Sequence, residues 1–198
     1  MYFYIDKKYP QFIDIPDYGF VDNNGFGRSM KVVLGPAAGL YYAGKPTSAD
    51  HSIPHIMKAL KKRDGGKVWV AAHLLNGELG GDGHDSENLA PLTQTANKQH
   101  SGLELGVKTL CNLIRQWHNL YDDSFYFGVK YSVNTIGYFG TFDPYNKVPS
   151  HFNCSCSVGK YTLKGVETAI TSQEKSLFSA YTFSNVQIHN RDSHILGI

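Results

Sequence analysis

The sequence predicts an α+β fold in which an antiparallel sheet packs against one long helix. Apolar residues at Ala96, Leu103, Val107, Leu110, Leu113, Ile114 and Trp117 recur with helical spacing. Phe125, Phe127, Val129, Tyr131 and Val133 then alternate with Tyr126, Lys130, Ser132 and Asn134, the pattern of a strand with one buried face. Ahead of the helix, a short β-prone run, Lys67 to Ala72, opens into a polar, glycine-rich excursion that cannot form a packed periodic element.

Bulk properties narrow the class. A chain of 198 residues can bury one sizeable core, so residues 31–198 are expected to form a single domain and residues 1–30 an N-terminal extension or linker. No apolar run reaches bilayer length, and the start MYFYIDKKYP lacks the order of a signal peptide, so a soluble protein without a membrane partner is expected. The formal net charge of +2 does not announce nucleic-acid binding, but Lys58, Lys61, Lys62, Arg63 and Lys67 cluster just before the Lys67–Ala72 run. That cluster is either a basic surface beside a site or a solvated helix end. Cys111 reads as core. Cys154 and Cys156 alternate on one strand face, where geometry suits a disulfide poorly, so reduced thiols and a cytosolic working compartment are expected.

In chain order, Met1 to Gly27 is broken by Pro10, Pro16, Gly19, Gly25 and Gly27 and reads as an edge strand, a wrap or a linker. Lys31 to Gly35 is a strand. Thr47 and Ser48 are candidate caps for a helix in which Pro54 must lie in the first turn, and Asp64-Gly65-Gly66 ends it. The next strand delivers His73 to its end. The loop carries Gly77, Gly80, Gly81, Gly83, Asp82, Asp85 and Ser86, and the long helix starts near Thr95. Asp122-Asp123-Ser124 marks a turn. A second sheet strand spans about His151 to Val158, a weak helix lies around Gln173 to Ala180, and a final strand runs from Tyr181 to Ile188.

Chemistry concentrates between Trp69 and Glu104. Asn97, His100 and Glu104 share one stripe of the long helix, close in sequence to the strand that ends in His73. A neutral imidazole is the usual general base near neutral pH. An Asn oxygen is a hard, weak ligand that leaves a cation most of its water, which suits Mg²⁺ bound mainly through a substrate phosphate. That division of labour suits phosphodiester hydrolysis.

The string H-L-L-N-x-x-L-G-G-x-G from His73, followed by N-L-x-P-L-T-x-x-A-N-x-x-H from Asn88 and then Glu104, resembles the DNA/RNA non-specific endonucleases of the ββα-metal, or His-Me finger, class, particularly bacterial toxin and effector domains. The resemblance spans His73 to Glu104, and the first sixty residues match nothing. It implies a ββα-metal core, His73 as general base, and Asn97 as the single protein ligand of Mg²⁺ or another divalent cation. It further implies Asn88 as an amide bracing the site and Glu104 as an orderer of metal-bound water. DNA and/or RNA would be the substrate and an immunity protein the partner, with delivery into a target cell as part of a larger protein and action in the cytoplasm. Family members commonly carry Asp-Arg-Gly before the histidine, where this chain has Val70-Ala71-Ala72. Arg63, Lys67 and Arg115 are candidates for the missing cation, His100 or His84 for a second imidazole, and Lys62, Arg63, Lys67, His100 and Arg115 for contacts to the substrate.

Other readings compete. The departure at Val70-Ala71-Ala72 motivates a nucleic-acid-binding or protein-interaction module that kept the scaffold and lost the chemistry. Gly80-Gly81-x-Gly83 lacks the Lys-Ser/Thr of a phosphate-binding loop, and His51 with His55 lacks a third ligand. Asn134 to Phe142, rich in glycine and aromatics, is either a base-stacking surface or core.

Overall fold

The computed structural model describes residues 9–40, 44–45, 54–121, 124–191 and 195. Thr47, Ser48, His51 and the Asp122-Asp123 pair, all named above, lie outside them.

The main sheet is antiparallel. Its path runs β1 (Phe12–Tyr18), β2 (Ser29–Leu34), β5 (Phe125–Ile136), β6 (His151–Thr162) and β7 (Glu167–Thr168), and β8 (Phe183–His189) also pairs with β6. A separate hairpin, β3 (Trp69–His73) with β4 (Leu89–Thr93), feeds the long helix α2 (Gln94–Leu120). The helix α1 (Pro54–Asp64) precedes β3, and α3 (Ser172–Phe178) precedes β8. The fold is thus α+β, with the long helix against the sheet as the two periodicities require.

Alternation decides the sheet's faces. Phe127, Val129, Tyr131 and Val133 of β5 and Phe152, Cys154 and Cys156 of β6 are buried together with Val107, Leu110, Cys111 and Ile114 of α2. Each large aliphatic there contributes about 1.5–3 kcal/mol of burial. Cys111, Cys154 and Cys156 are free thiols. The stretch 1–30, expected as an extension, carries the edge strand β1, which pairs with β2, and Phe26 and Met30 are fully buried. Pro54 is the first residue of α1, and Gly65 takes the positive φ of 89° that ends it. β4 and the two-residue β7 were not legible as periodic runs. In β4 all five residues are buried, so no alternation exists to read.

Candidate active site

The hairpin sets the geometry. His73 closes β3 opposite Leu89, and the chain between them returns through two short 3₁₀ turns, Gly77–Leu79 and Ser86–Asn88. Asn88 is fully buried and organises that return. Its Oδ1 accepts the Leu75 N–H at 2.8 Å, while Nδ2 donates to Leu75 O at 3.0 Å and Asp82 O at 3.1 Å. Gly81 passes so close that a Cβ would lie 1.7 Å from Leu75 O and 2.7 Å from Asn88 Nδ2, so only glycine fits.

His73 is half-buried, and its Nε2 lies 3.3 Å from Lys45 O. A carbonyl oxygen only accepts, so Nε2 carries the proton and, in the neutral ring, Nδ1 carries the lone pair. Burial lowers the imidazole pKa below its ordinary value, with the Lys45 carbonyl and the Asp82 charge opposing that shift. Asp82 is itself held below the usual carboxylate range, by the His84 N–H at 2.8 Å first and then by Lys45 Nζ at 3.1 Å. The loop therefore keeps a neutral imidazole near a fixed negative charge.

α2 packs on both β3 and β4. Its start is pinned from two sides. Thr93 Oγ1 caps it by accepting the Ala96 N–H at 3.1 Å, and buried Asn190 accepts the Thr93 N–H at 2.7 Å while donating to Pro91 O and Pro149 O. Asn97, in the first turns, is half-buried, and its side-chain amide makes no hydrogen bond among the described residues. Glu104, further along the same stripe, is buried and accepts from Asn76 N at 2.8 Å and Asn76 Nδ2 at 3.3 Å. Three residues past His73, Asn76 thus ties the end of β3 to the helix.

His100 points into the core. It is 1% exposed, and its Nε2 meets Tyr131 Oη at 2.9 Å, because a residue one turn beyond Asn97 on this stripe points at β5. Its Nδ1 lies 3.9 Å from Glu104 Oε2, yet this is no ion pair at neutral pH. Burial lowers the His100 pKa to about 4, with the charge on His73 adding to the shift, and burial raises Glu104 to about 8. Both groups are neutral between those values. The expected second imidazole is instead a core polar group. His84 sits in the loop beside Asp82.

The candidate cations are not gathered at His73. Lys62, Arg63 and Lys67 are exposed around the end of α1 and ahead of β3, at the hairpin end opposite His73. Arg115 lies about 27 Å along the α2 axis from Asn97 at 1.5 Å per residue, where it donates to Pro36 O and Asn112 Oδ1. The helix is 27 residues long, so sequence proximity to the motif brought Arg115 no nearer. Sequence reasoning missed Lys45, Asn76, Tyr131 and Asn190 as site-building residues. Only Asn76, inside the quoted string, carried a signal.

Among the described residues, no three His, Cys, Asp or Glu side chains gather into a metal cage. A half-buried amide with an uncommitted oxygen, such as Asn97, fits a cation that keeps most of its water. No protein-family model matches the chain, and no curated protein matches it. Among solved structures, the chain is similar to Sda1 nuclease with bound zinc ion, at 11% identity over 90% of this chain and 76% of that one, with a TM-score of 0.51. It also aligns with NucA from Streptococcus agalactiae with no metal bound, at 12% identity over 91% and 72% of the two chains, with a TM-score of 0.43. The likeness to Sda1 nuclease is one of fold.

Proposed function

We propose that this protein is a metal-dependent endonuclease that hydrolyses phosphodiester bonds of DNA and/or RNA without sequence preference. The observation that carries the reading is His73: a half-buried imidazole at the end of a strand, kept neutral, with its Nε2 proton directed at Lys45 O, which makes Nδ1 the basic nitrogen of the ring. The Sda1 fold likeness and the His73-to-Glu104 string support it.

In this mechanism His73 Nδ1 takes a proton from a water as the water oxygen bonds to phosphorus and the opposite P–O bond breaks, its electron pair leaving on the departing oxygen. General-base assistance of this kind contributes roughly 10²- to 10⁴-fold. Asn97 would hold Mg²⁺ or another divalent cation, which supplies stabilisation of the phosphate's developing charge. Asn88 and Glu104 act through the backbone, holding Leu75 and Asn76 so that His73 keeps its place. The reading includes a toxin or effector domain restrained by an immunity protein, on the resemblance alone.

Purified protein incubated with plasmid DNA and with RNA, with Mg²⁺, Zn²⁺ or EDTA, tests the reading. Cleavage that EDTA and His73→Ala both abolish is expected, and undiminished cleavage by His73→Ala overturns it. A second reading, a binding module without turnover, draws on Val70-Ala71-Ala72 standing where the resembled family commonly carries Asp-Arg-Gly. It predicts salt-dependent binding with no cleavage under any metal.

A further inference from the structure

From the packing of α1 against the β5–β6 connection, we infer that the hairpin end opposite His73 is a docking surface for single-stranded nucleic acid. The inference rests on the nuclease reading for its role in turnover but not for binding. Lys58, Lys61, Lys62 and Lys67 are exposed there, and none has an acidic partner among the described residues. The acids nearby are already committed. Asp64 accepts from Trp69 Nε1 at 2.7 Å and from the Tyr145 hydroxyl, and Asp143 pairs with Lys147. The surface is therefore positive without local compensation, although the whole chain is nearly neutral.

Aromatic rings interleave with these charges. The Arg63 guanidinium lies 4.8 Å from the Phe142 ring centroid and 4.9 Å from that of Tyr145. Tyr145 is fully buried and packs edge-on against Phe139 and Phe142, so the rings are held by the core. Phe142 nevertheless remains 43% exposed. An exposed ring backed by an arginine, on a face with four exposed ammonium groups, matches the chemistry of a strand whose bases stack while its phosphates pair. An acidic protein would use the charges and leave the rings idle.

The length of β3 separates this surface from His73, about 15 Å at roughly 3.3 Å per residue. At about 3.4 Å per nucleotide, the rise of a strand stacked as in a duplex, a substrate must extend about four nucleotides beyond the scissile phosphate to use both, and fewer if the single strand is stretched. Short diesters are hydrolysed without the surface, and long strands are captured by it.

The test uses the full chain carrying His73→Ala, so that binding is read without cleavage, and a labelled single-stranded oligonucleotide of about 30 nucleotides. Adding Lys61→Gln, Lys62→Gln and Lys67→Gln, all at exposed positions, should flatten the slope of log K against log salt by about 2, at roughly 0.7 per lost phosphate contact. Phe142→Ala should weaken binding of the single strand about tenfold or more and leave duplex binding unchanged. With His73 present, the triple variant should raise KM for the long strand while leaving hydrolysis of bis(p-nitrophenyl) phosphate untouched. An unchanged salt slope in the triple variant overturns the inference. So does displacement of the strand by polyglutamate at equal charge, with Phe142→Ala silent, which would assign the surface to an acidic protein. If the chain with His73 cleaves nothing but binding keeps these sensitivities, the nuclease reading fails and the surface stands.

Discussion

Asn88 and Leu75 are joined in both directions: the Asn88 amide oxygen takes the Leu75 N–H at 2.8 Å and the amide nitrogen returns a proton to Leu75 O at 3.0 Å. The pair closes the loop that follows His73 as a strand ladder would. Asn88→Ala leaves two buried backbone groups of Leu75 without partners, at about 1–3 kcal/mol each. Urea unfolding should show a loss of about 2–4 kcal/mol, and Asn88→Asp should not restore it, because a carboxylate cannot donate to Leu75 O.

His73→Ala separates chemistry from folding. The ring is half-buried at the end of its strand and bonds the Lys45 carbonyl near the surface, so its removal should change stability by about 1 kcal/mol, while cleavage falls at least a hundredfold. The lowered pKa keeps the ring neutral at pH values where an ordinary imidazole is protonated. Activity should therefore persist below pH 6.5 and fall only as pH drops through the depressed value, as a kcat/KM profile would show.

Glu104 gives a pH signature of the opposite sign. Its carboxyl ionises near 4.5 in the unfolded chain and near 8 in the fold, so between those values the folded state holds the extra proton. Its contribution is present in full below pH 4.5 and is lost as pH rises through about 8. His100 runs the other way: with its folded value near 4, the unfolded chain protonates first below 6.5 and stability falls as pH drops towards 4. Glu104→Gln keeps an oxygen for the Asn76 N–H and removes the titration. Thermal melts between pH 5 and 9 should show a flatter alkaline limb in that variant.

Asn97→Ala should leave the melting temperature nearly unchanged, since its amide makes no hydrogen bond among the described residues. The variant should need more divalent cation for half-maximal cleavage, and calorimetric titration of the metal alone should show weaker binding. Equal metal affinity in the variant would remove Asn97 from the proposed role.

Thr93 and Asn190 sit 97 positions apart and fix where α2 begins. Asn190→Ala strips a partner from Thr93 N, Pro91 O and Pro149 O and should cost about 3 kcal/mol or more by unfolding. Cleavage should fall with it, measured at a temperature where the variant is still folded.

The sequence by itself determined what depends on local periodicity and composition. The α2 stripe, the alternation of β5, the glycine stop of α1 and the strand that ends in His73 all follow from side-chain spacing, because burial of one face repeats every 3.6 or 2 residues. What only the tertiary structure decided are relations between distant positions. The burial of His100 against Tyr131, the Asn190 anchor, the Lys45 carbonyl that sets the His73 tautomer and the displacement of Lys62, Arg63, Lys67 and Arg115 from His73 are of this kind. They rest on which elements pack together, and a hydrogen bond between residues far apart in sequence leaves no period for the sequence to show.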